Sequence, residues 1–225
     1  MNCRPIAAAT LVLSALLAAT DAGAKCAPPQ IVTEATAEEV RAAFAADGRM
    51  VVTFIGYSGA GYEDPAAMRA QAGRVLDRLD PKRTLVNIGA TAEGIGAVYE
   101  LAKQRGFATS GIVSSQARHS GTPLSPCVDR VYFVADDRWG GFLPGTRELS
   151  PTSAAMVGVS TRLVAIGGGE VARDELLAAK TLGKRVDFIA ADMNHRVAVK
   201  RAASRGEPFP GDFRGAADAA MRKPS

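Results

Sequence analysis

The chain has 225 residues, of which 47% are hydrophobic and 22% charged, and its formal net charge at pH 7 is +4. This length suits one compact domain with a sizeable core. The two histidines, His119 and His195, and the three cysteines do not have the spacing of zinc ligands, which argues against a metal site.

Residues 1–24 have the pattern of a secretory signal peptide, with a basic start at Arg4, an apolar run over 6–19 and small residues at 22–24. The alternative is a membrane anchor, but the run is shorter than the roughly 20 residues that a spanning helix needs. The sequence therefore predicts a periplasmic or secreted protein with no transmembrane segment in the mature chain.

Two cysteines, Cys26 and Cys127, remain after removal of the signal peptide. In an oxidising compartment an even pair indicates one disulfide between the N-terminus and the middle of the chain. Two free buried thiols remain the alternative.

Helices and strands alternate along the rest of the chain. After an N-terminal helical segment at 25–48, with its helix at 37–46, the main domain is predicted over 49–205. The predicted strands are 50–56, 84–89, 107–115, 130–136, 163–169 with its turn, and 185–192. The predicted helices between and after them are 65–79, 90–106 with its turn, 153–160, 170–183 and 193–203. Residues 206–225 are predicted to form a basic, flexible tail.

This alternation predicts an α/β fold: a three-layer, Rossmann-like open parallel sheet with helices on both faces. Ligands bind such sheets at the carboxyl ends of the strands, where glycine-rich loops follow Gly56, Gly89 and Gly167. The glycine- and proline-rich segment 139–151 is a candidate lid.

Glycines that connect a strand to a helix let a ligand approach the helix N-terminus, where phosphate is held well. The alternative for each loop is a tight turn without a ligand. None is a P-loop or a dinucleotide fingerprint, so no cofactor is predicted. The third glycine loop is followed by three acids, Glu170, Asp174 and Glu175. They either stabilise the start of the next helix or contact a ligand. Nucleic acid is not a predicted partner, because the basic 194–225 segment has few aromatic residues.

From about Val51 to Ala190 the chain resembles the Lonely Guy and lysine-decarboxylase-like proteins of the SLOG superfamily. VVTFIGYSGAGYEDP resembles their first strand and loop, with Gly56, Ser58 and Gly59 in place. NIGATAEGIGAV resembles their second glycine region. It retains Gly89 and Gly96.

The segment LVAIGGGEVARDE resembles the family signature PGGxGTxxE. Gly168 and Gly169 match its glycines and Glu175 matches its glutamate, whereas Gly167 replaces the proline and Thr152 stands where the family has a catalytic arginine. The resemblance implies that Glu175 is the catalytic residue of any hydrolysis of N-glycosidic bonds. It also implies ligand contacts from Glu175 and from the matched loop residues: Gly56, Ser58, Gly59, Gly89, Gly96, Gly168 and Gly169.

Three functions remain open at this stage. The first is a secreted SLOG-like domain that binds a nucleotide or sugar phosphate without turnover, as the glycines with an altered catalytic motif suggest. The second is a phosphoribohydrolase-like N-glycosidase acting on nucleoside 5′-monophosphates, with Arg147 or Arg173 as a substitute cation. The third is a non-catalytic structural or interaction protein. The resemblance also leaves open a homodimer.

Overall fold

A computed structural model of the protein describes residues 26–222. The predicted signal peptide lies outside the described residues. Within them, seven strands form one parallel sheet. The strands are β1 (Ile31–Glu34), β2 (Met50–Gly56), β3 (Thr84–Ile88), β4 (Ala108–Ser114), β5 (Arg130–Val134), β6 (Arg162–Ile166) and β7 (Arg185–Ile189).

Helices cover both faces of the sheet and bury its apolar side chains. They are α1 (Ala37–Asp47), α2 (Pro65–Leu76), α3 (Val98–Gln104), α4 (Gln116–His119), α5 (Pro151–Val159), α6 (Glu170–Thr181), α7 (His195–Arg205) and α8 (Gly215–Met221). Helices α2, α3 and α7 pack against one face. Helices α1, α5, α6 and α8 pack against the other. The predicted three-layer open α/β fold is therefore confirmed.

Two elements differ from the sequence prediction. The segment 25–48 was expected to be helical, but it also contains β1, a short and fully exposed edge strand that pairs only with β5. The tail was expected to be flexible, but 215–221 forms α8, where Ala217 is fully buried in a cluster with Leu176 of α6. The sequence did not predict β1 because this strand has no buried face and therefore no periodic pattern. It did not predict α8 because the glycine and proline residues before this helix are typical of an irregular tail.

Strand order reverses at β2, which lies in the interior of the sheet. The order is β1-β5-β4-β3-β2-β6-β7. From β2 the chain builds outward through β3, β4 and β5, and it then returns to place β6 on the other side of β2. Such a reversal separates the loops at the carboxyl ends of the strands and opens a crevice for ligands.

A disulfide joins Cys26 to Cys127 across 101 residues of sequence, with 4.5 Å between their Cα atoms. The predicted pairing is confirmed, and it fixes the start of the described chain to the loop that precedes β5. No helix within residues 26–222 has the length and apolarity that crossing a membrane requires.

Because the disulfide closes a long loop, its removal should increase the conformational freedom of the unfolded chain. We expect Cys127→Ser to lower the free energy of unfolding by about 2–4 kcal/mol in urea titrations. Cys26→Ser and the double variant should show the same loss, and reductant should lower the stability of the wild type alone. Equal unfolding midpoints for wild type and variants under oxidising conditions would contradict this account.

Candidate functional site

A cavity of about 490 Å³ opens at the carboxyl ends of β2, β3 and β4. This volume is within the range of small-molecule sites, roughly 300–1,000 Å³. Its walls come from the loops after β2 and β3, from the first turns of α5 and α6, and from single residues of the 139–151 segment and α7. The cavity therefore lies where the reversal of strand order predicts a ligand.

The cavity brings together most of the ligand-binding residues that were predicted from the sequence. Five of them line it: Gly56, Ser58, Gly59, Gly89 and Glu175. Three others, Gly96, Gly168 and Gly169, are not among its lining residues. A Cβ at Gly96 would collide with the carbonyl oxygen of Thr91, so that glycine serves the turn before α3.

The three-glycine turn after β6 is shaped by its own backbone and by the C-terminal helix. Gly167 and Gly168 have φ values of +58° and +136°, which L side chains rarely adopt. The carbonyl of Gly168 accepts a hydrogen bond from Ala217 N at 3.1 Å. A Cβ at Gly168 would lie 2.5 Å from the Cβ of Ala172 and 3.3 Å from that of Ala217. These two glycines therefore allow the turn and the close packing of α6 and α8.

The third glycine begins α6 and leaves the N-terminus of that helix open. Gly169 is the N-cap and makes no side-chain cap, and the first backbone bond of the helix is from Arg173 N to Gly169 O, at 3.0 Å. The amides of the first turn therefore have no acceptor within the helix. Val171 and Ala172, both in this turn, line the cavity. Free amides and the helix dipole make this end attractive to anions.

Glu175 is the acid that α6 presents to the cavity. Its side chain is buried, and Oε1 accepts a hydrogen bond from Ser153 Oγ at 2.7 Å. Burial raises the pKa of Glu175 to about 7, the Ser153 hydrogen bond opposes the rise, and the charge of Asp174 adds to it. Near neutral pH this carboxyl can therefore donate a hydrogen bond as well as accept one.

The other two acids of α6 have different surroundings. Asp174 is buried, accepts a hydrogen bond from Phe142 N at 2.9 Å and pairs with Arg173 at 2.8 Å. Glu170 is exposed, and neither residue lines the cavity. Only Glu175 of the three acids is therefore placed to touch a ligand.

The position at which the sequence resemblance places an arginine is occupied by a buried threonine, Thr152. Thr152 N donates to Asp136 Oδ2 at 2.9 Å, and Thr152 Oγ1 has no hydrogen-bond partner among the described residues. Thr152 also lines the cavity, although its hydroxyl oxygen is itself buried. A buried hydroxyl without a partner is costly, and a ligand that bonded to it would remove that cost.

The cation of the cavity comes from a residue that the sequence analysis did not nominate. Arg147 and Arg173 do not line the cavity, whereas Arg201 of α7 does and is the only lysine or arginine among the lining residues. No motif surrounds Arg201, and only the packing of α7 beside the first glycine loop identifies it. Within residues 26–222 no cluster of three or more metal-ligating side chains occurs.

No protein-family model and no curated protein matches the chain. Among solved structures, the molybdenum cofactor carrier protein of Chlamydomonas reinhardtii is similar at 19% identity and a TM-score of 0.45, over 62% of this chain and 76% of that one. DNA processing protein A of Streptococcus pneumoniae is similar at 12% identity and a TM-score of 0.43, over 78% of this chain and 62% of that one. At these identities and TM-scores the matches assign neither a family nor a function.

The raised pKa of Glu175 predicts a pH-dependent contribution to stability. Below its ordinary pKa of 4.5 the carboxyl is protonated in both folded and unfolded chains. As pH rises toward about 7, the unfolded chain loses this proton while the folded chain keeps it, so folding becomes less favourable. Relative to Glu175→Gln, the free energy of unfolding of the wild type should fall by on the order of 1 kcal/mol per pH unit and then level off.

Urea titrations of both proteins from pH 4 to 8 would measure this difference. Glu170→Gln is the matched control, because it removes an exposed acid from the same helix. A constant difference between wild type and Glu175→Gln across this range would contradict the predicted pKa.

Proposed function

We propose that the protein is a secreted binding module that holds a nucleotide or a sugar phosphate in this cavity. The observation that carries the proposal is the meeting of three polar features with few partners in the protein at one cavity. They are the open N-terminus of α6, the buried carboxyl of Glu175 and the unpartnered hydroxyl of Thr152.

The phosphate is assigned to the start of α6. A helix of 12 residues has a substantial dipole, and its first-turn amides have no acceptor within the helix and can bond to an anion. Carboxylates nearby would repel an anion. Asp174 is paired with Arg173, Glu175 is partly protonated near neutral pH and Glu170 is exposed to solvent, so Glu93 is the cavity-lining acid that still opposes an anion. Arg201 adds a positive charge on the cavity wall.

The hydroxyl groups of a sugar are assigned to Glu175 and Thr152. Both side chains are buried, so the hydroxyl groups of a ligand can form hydrogen bonds with them without displacing much bulk water. Ser58, in the glycine-rich loop after β2, lines the cavity and offers a further hydroxyl.

Binding without turnover is favoured by the substitution at position 152. A threonine there supplies no positive charge, and the cavity's Arg201 comes from a different helix. The apolar 1–24 segment and the Cys26–Cys127 disulfide support an oxidising, extracytoplasmic location. A homodimer is compatible with this proposal, and sedimentation of the purified protein would test it.

Binding should be linked to protonation of Glu175. A phosphate bound nearby favours the neutral carboxyl, so it raises the pKa of Glu175 further and is bound together with a proton. We expect calorimetry with adenosine 5′-monophosphate and ribose 5-phosphate to give tighter binding at pH 6 than at pH 8. In Glu175→Gln the tighter binding at pH 6 should be lost, and only the titration of the ligand's own phosphate, with a pKa of about 6, should remain.

Glu170→Gln should keep the pH dependence of the wild type. The proposal fails if neither calorimetry nor thermal shift detects binding of any nucleoside monophosphate, ribose phosphate or ADP-ribose.

A second function, hydrolysis of an N-glycosidic bond, is favoured by one observation. A carboxyl with a pKa near 7 is suited to act as a general acid or base at neutral pH. If the protein is such an enzyme, free base should be released from nucleoside 5′-monophosphates, and Glu175→Gln should reduce the rate by at least about a hundredfold. Chromatography of the reaction mixture would show the base. An equal rate in the variant would exclude Glu175 as the catalytic group.

A further inference from the structure

Trp139 is a large aromatic side chain held at the cavity without being buried. It is the single tryptophan of the chain, it is 50% exposed, and it lines the cavity. Of the large apolar side chains that are exposed in residues 26–222, it is the only one on the cavity wall. Exposed aromatic surface beside a pocket is typical of a ligand contact.

The backbone on both sides of Trp139 is fixed by buried side chains. Arg138 N donates to Asp136 Oδ1 at 2.9 Å, and Gly141 N donates to Ser153 Oγ at 2.8 Å. Phe142 N adds a bond to Asp174 Oδ2 at 2.9 Å. The indole is therefore presented by an anchored backbone, which lowers the entropy lost when a ligand packs on it.

Trp139 is also close to the acid end of the cavity. The next residue, Gly140, has φ +129°, and a Cβ there would lie 2.7 Å from Ser153 Oγ and 3.9 Å from Glu175 Oε1. The chain can pass this close to Ser153, which bonds to Glu175, only because position 140 has no side chain. Trp139 and Glu175 therefore belong to the same cavity wall, with the backbone of Gly140 between them.

The positive charge of the cavity comes from a separate element. Arg201 is exposed on α7 and makes no ion pair among the described residues. The cavity thus offers an aromatic surface from the 139–151 segment and a cation from α7. Such a pair suits a ligand that has both a planar ring and an anionic group.

We propose that Trp139 stacks against a planar ring of the ligand and that Arg201 binds its anionic group, so that the ligand is an aromatic anion rather than a plain sugar phosphate. This inference rests on the proposed binding function and selects among its ligands. Stacking supplies the preference for a ring, because a flat base offers the indole a larger contact area than the small, hydroxylated face of a ribose.

The test compares three probes that differ by one part each: adenosine 5′-monophosphate has ring and phosphate, ribose 5-phosphate lacks the ring, and adenosine lacks the phosphate. For the wild type, calorimetry should give the tightest binding for adenosine 5′-monophosphate. In Trp139→Ala its affinity should fall by roughly 5- to 150-fold. Affinity for ribose 5-phosphate should stay within about twofold, and Trp139→Phe should restore part of the loss.

Arg201→Ala tests the contact with the anionic group. It should weaken adenosine 5′-monophosphate and ribose 5-phosphate by similar factors of about tenfold, and leave adenosine unchanged. Phe209→Ala and Lys200→Ala are the matched controls. They remove an exposed aromatic and a cation from a neighbouring groove outside this cavity, and should change neither affinity.

The fluorescence of Trp139 provides a second measurement in the unaltered protein. Binding of adenosine 5′-monophosphate should quench this fluorescence, because the base stacks on the indole. Binding of ribose 5-phosphate should leave the fluorescence unchanged. The inference is overturned, with the binding function intact, if ribose 5-phosphate binds as tightly as adenosine 5′-monophosphate. It is also overturned if Trp139→Ala weakens both equally or neither, or if Arg201→Ala weakens adenosine. If the wild type binds none of the three, the proposed function fails as well.

Discussion

The hydroxyl of Ser153 joins three parts of the site that are separate in sequence. Ser153 is fully buried at the start of α5, accepts a hydrogen bond from Gly141 N and donates one to Glu175 Oε1. Replacing it with an apolar residue would leave a buried amide and a buried carboxyl oxygen without partners. The path of the 139–142 segment and the orientation of Glu175 thus depend on a single side chain, and the absence of a side chain at Gly140 follows from the same contact.

Two adjacent acids of α6 have different roles, and their hydrogen-bond partners show which one is structural and which one faces a ligand. Asp174 and Glu175 are about equally buried, with 5% and 4% of their surfaces exposed. Asp174 bonds to a loop amide and to Arg173, so its oxygens are used within the protein. Glu175 has Ser153 as its one hydrogen-bond partner among the described residues and lines the cavity. A buried acid with so few partners reduces stability, which is typical of groups retained for function.

The periodic parts of the sequence predicted the fold well, because strands buried on both faces and amphipathic helices have clear patterns. Strand β2 begins and ends where expected, at Met50 and Gly56. The exposed edge strand β1 has no such pattern and was missed. Glycine motifs predicted where the site lies, since they mark the carboxyl ends of strands. Arg201 and Trp139 could not be assigned to it, because their placement depends on the packing of α7 and on hydrogen bonds from Ser153 and other distant residues.

The three glycines after β6 illustrate why a motif by itself does not assign each residue a role. Gly167 and Gly168 are explained by backbone conformation and by packing, since Tyr57 contacts the first and α8 the second. The hydroxyl of Tyr57 also donates to Arg214 O at 2.6 Å, which holds the segment before α8 against this turn. The same glycines would be retained in a protein that bound nothing. What separates this chain from such a protein is the other end of the motif, where α6 begins without a cap and Glu175 lines the cavity instead of packing against α8.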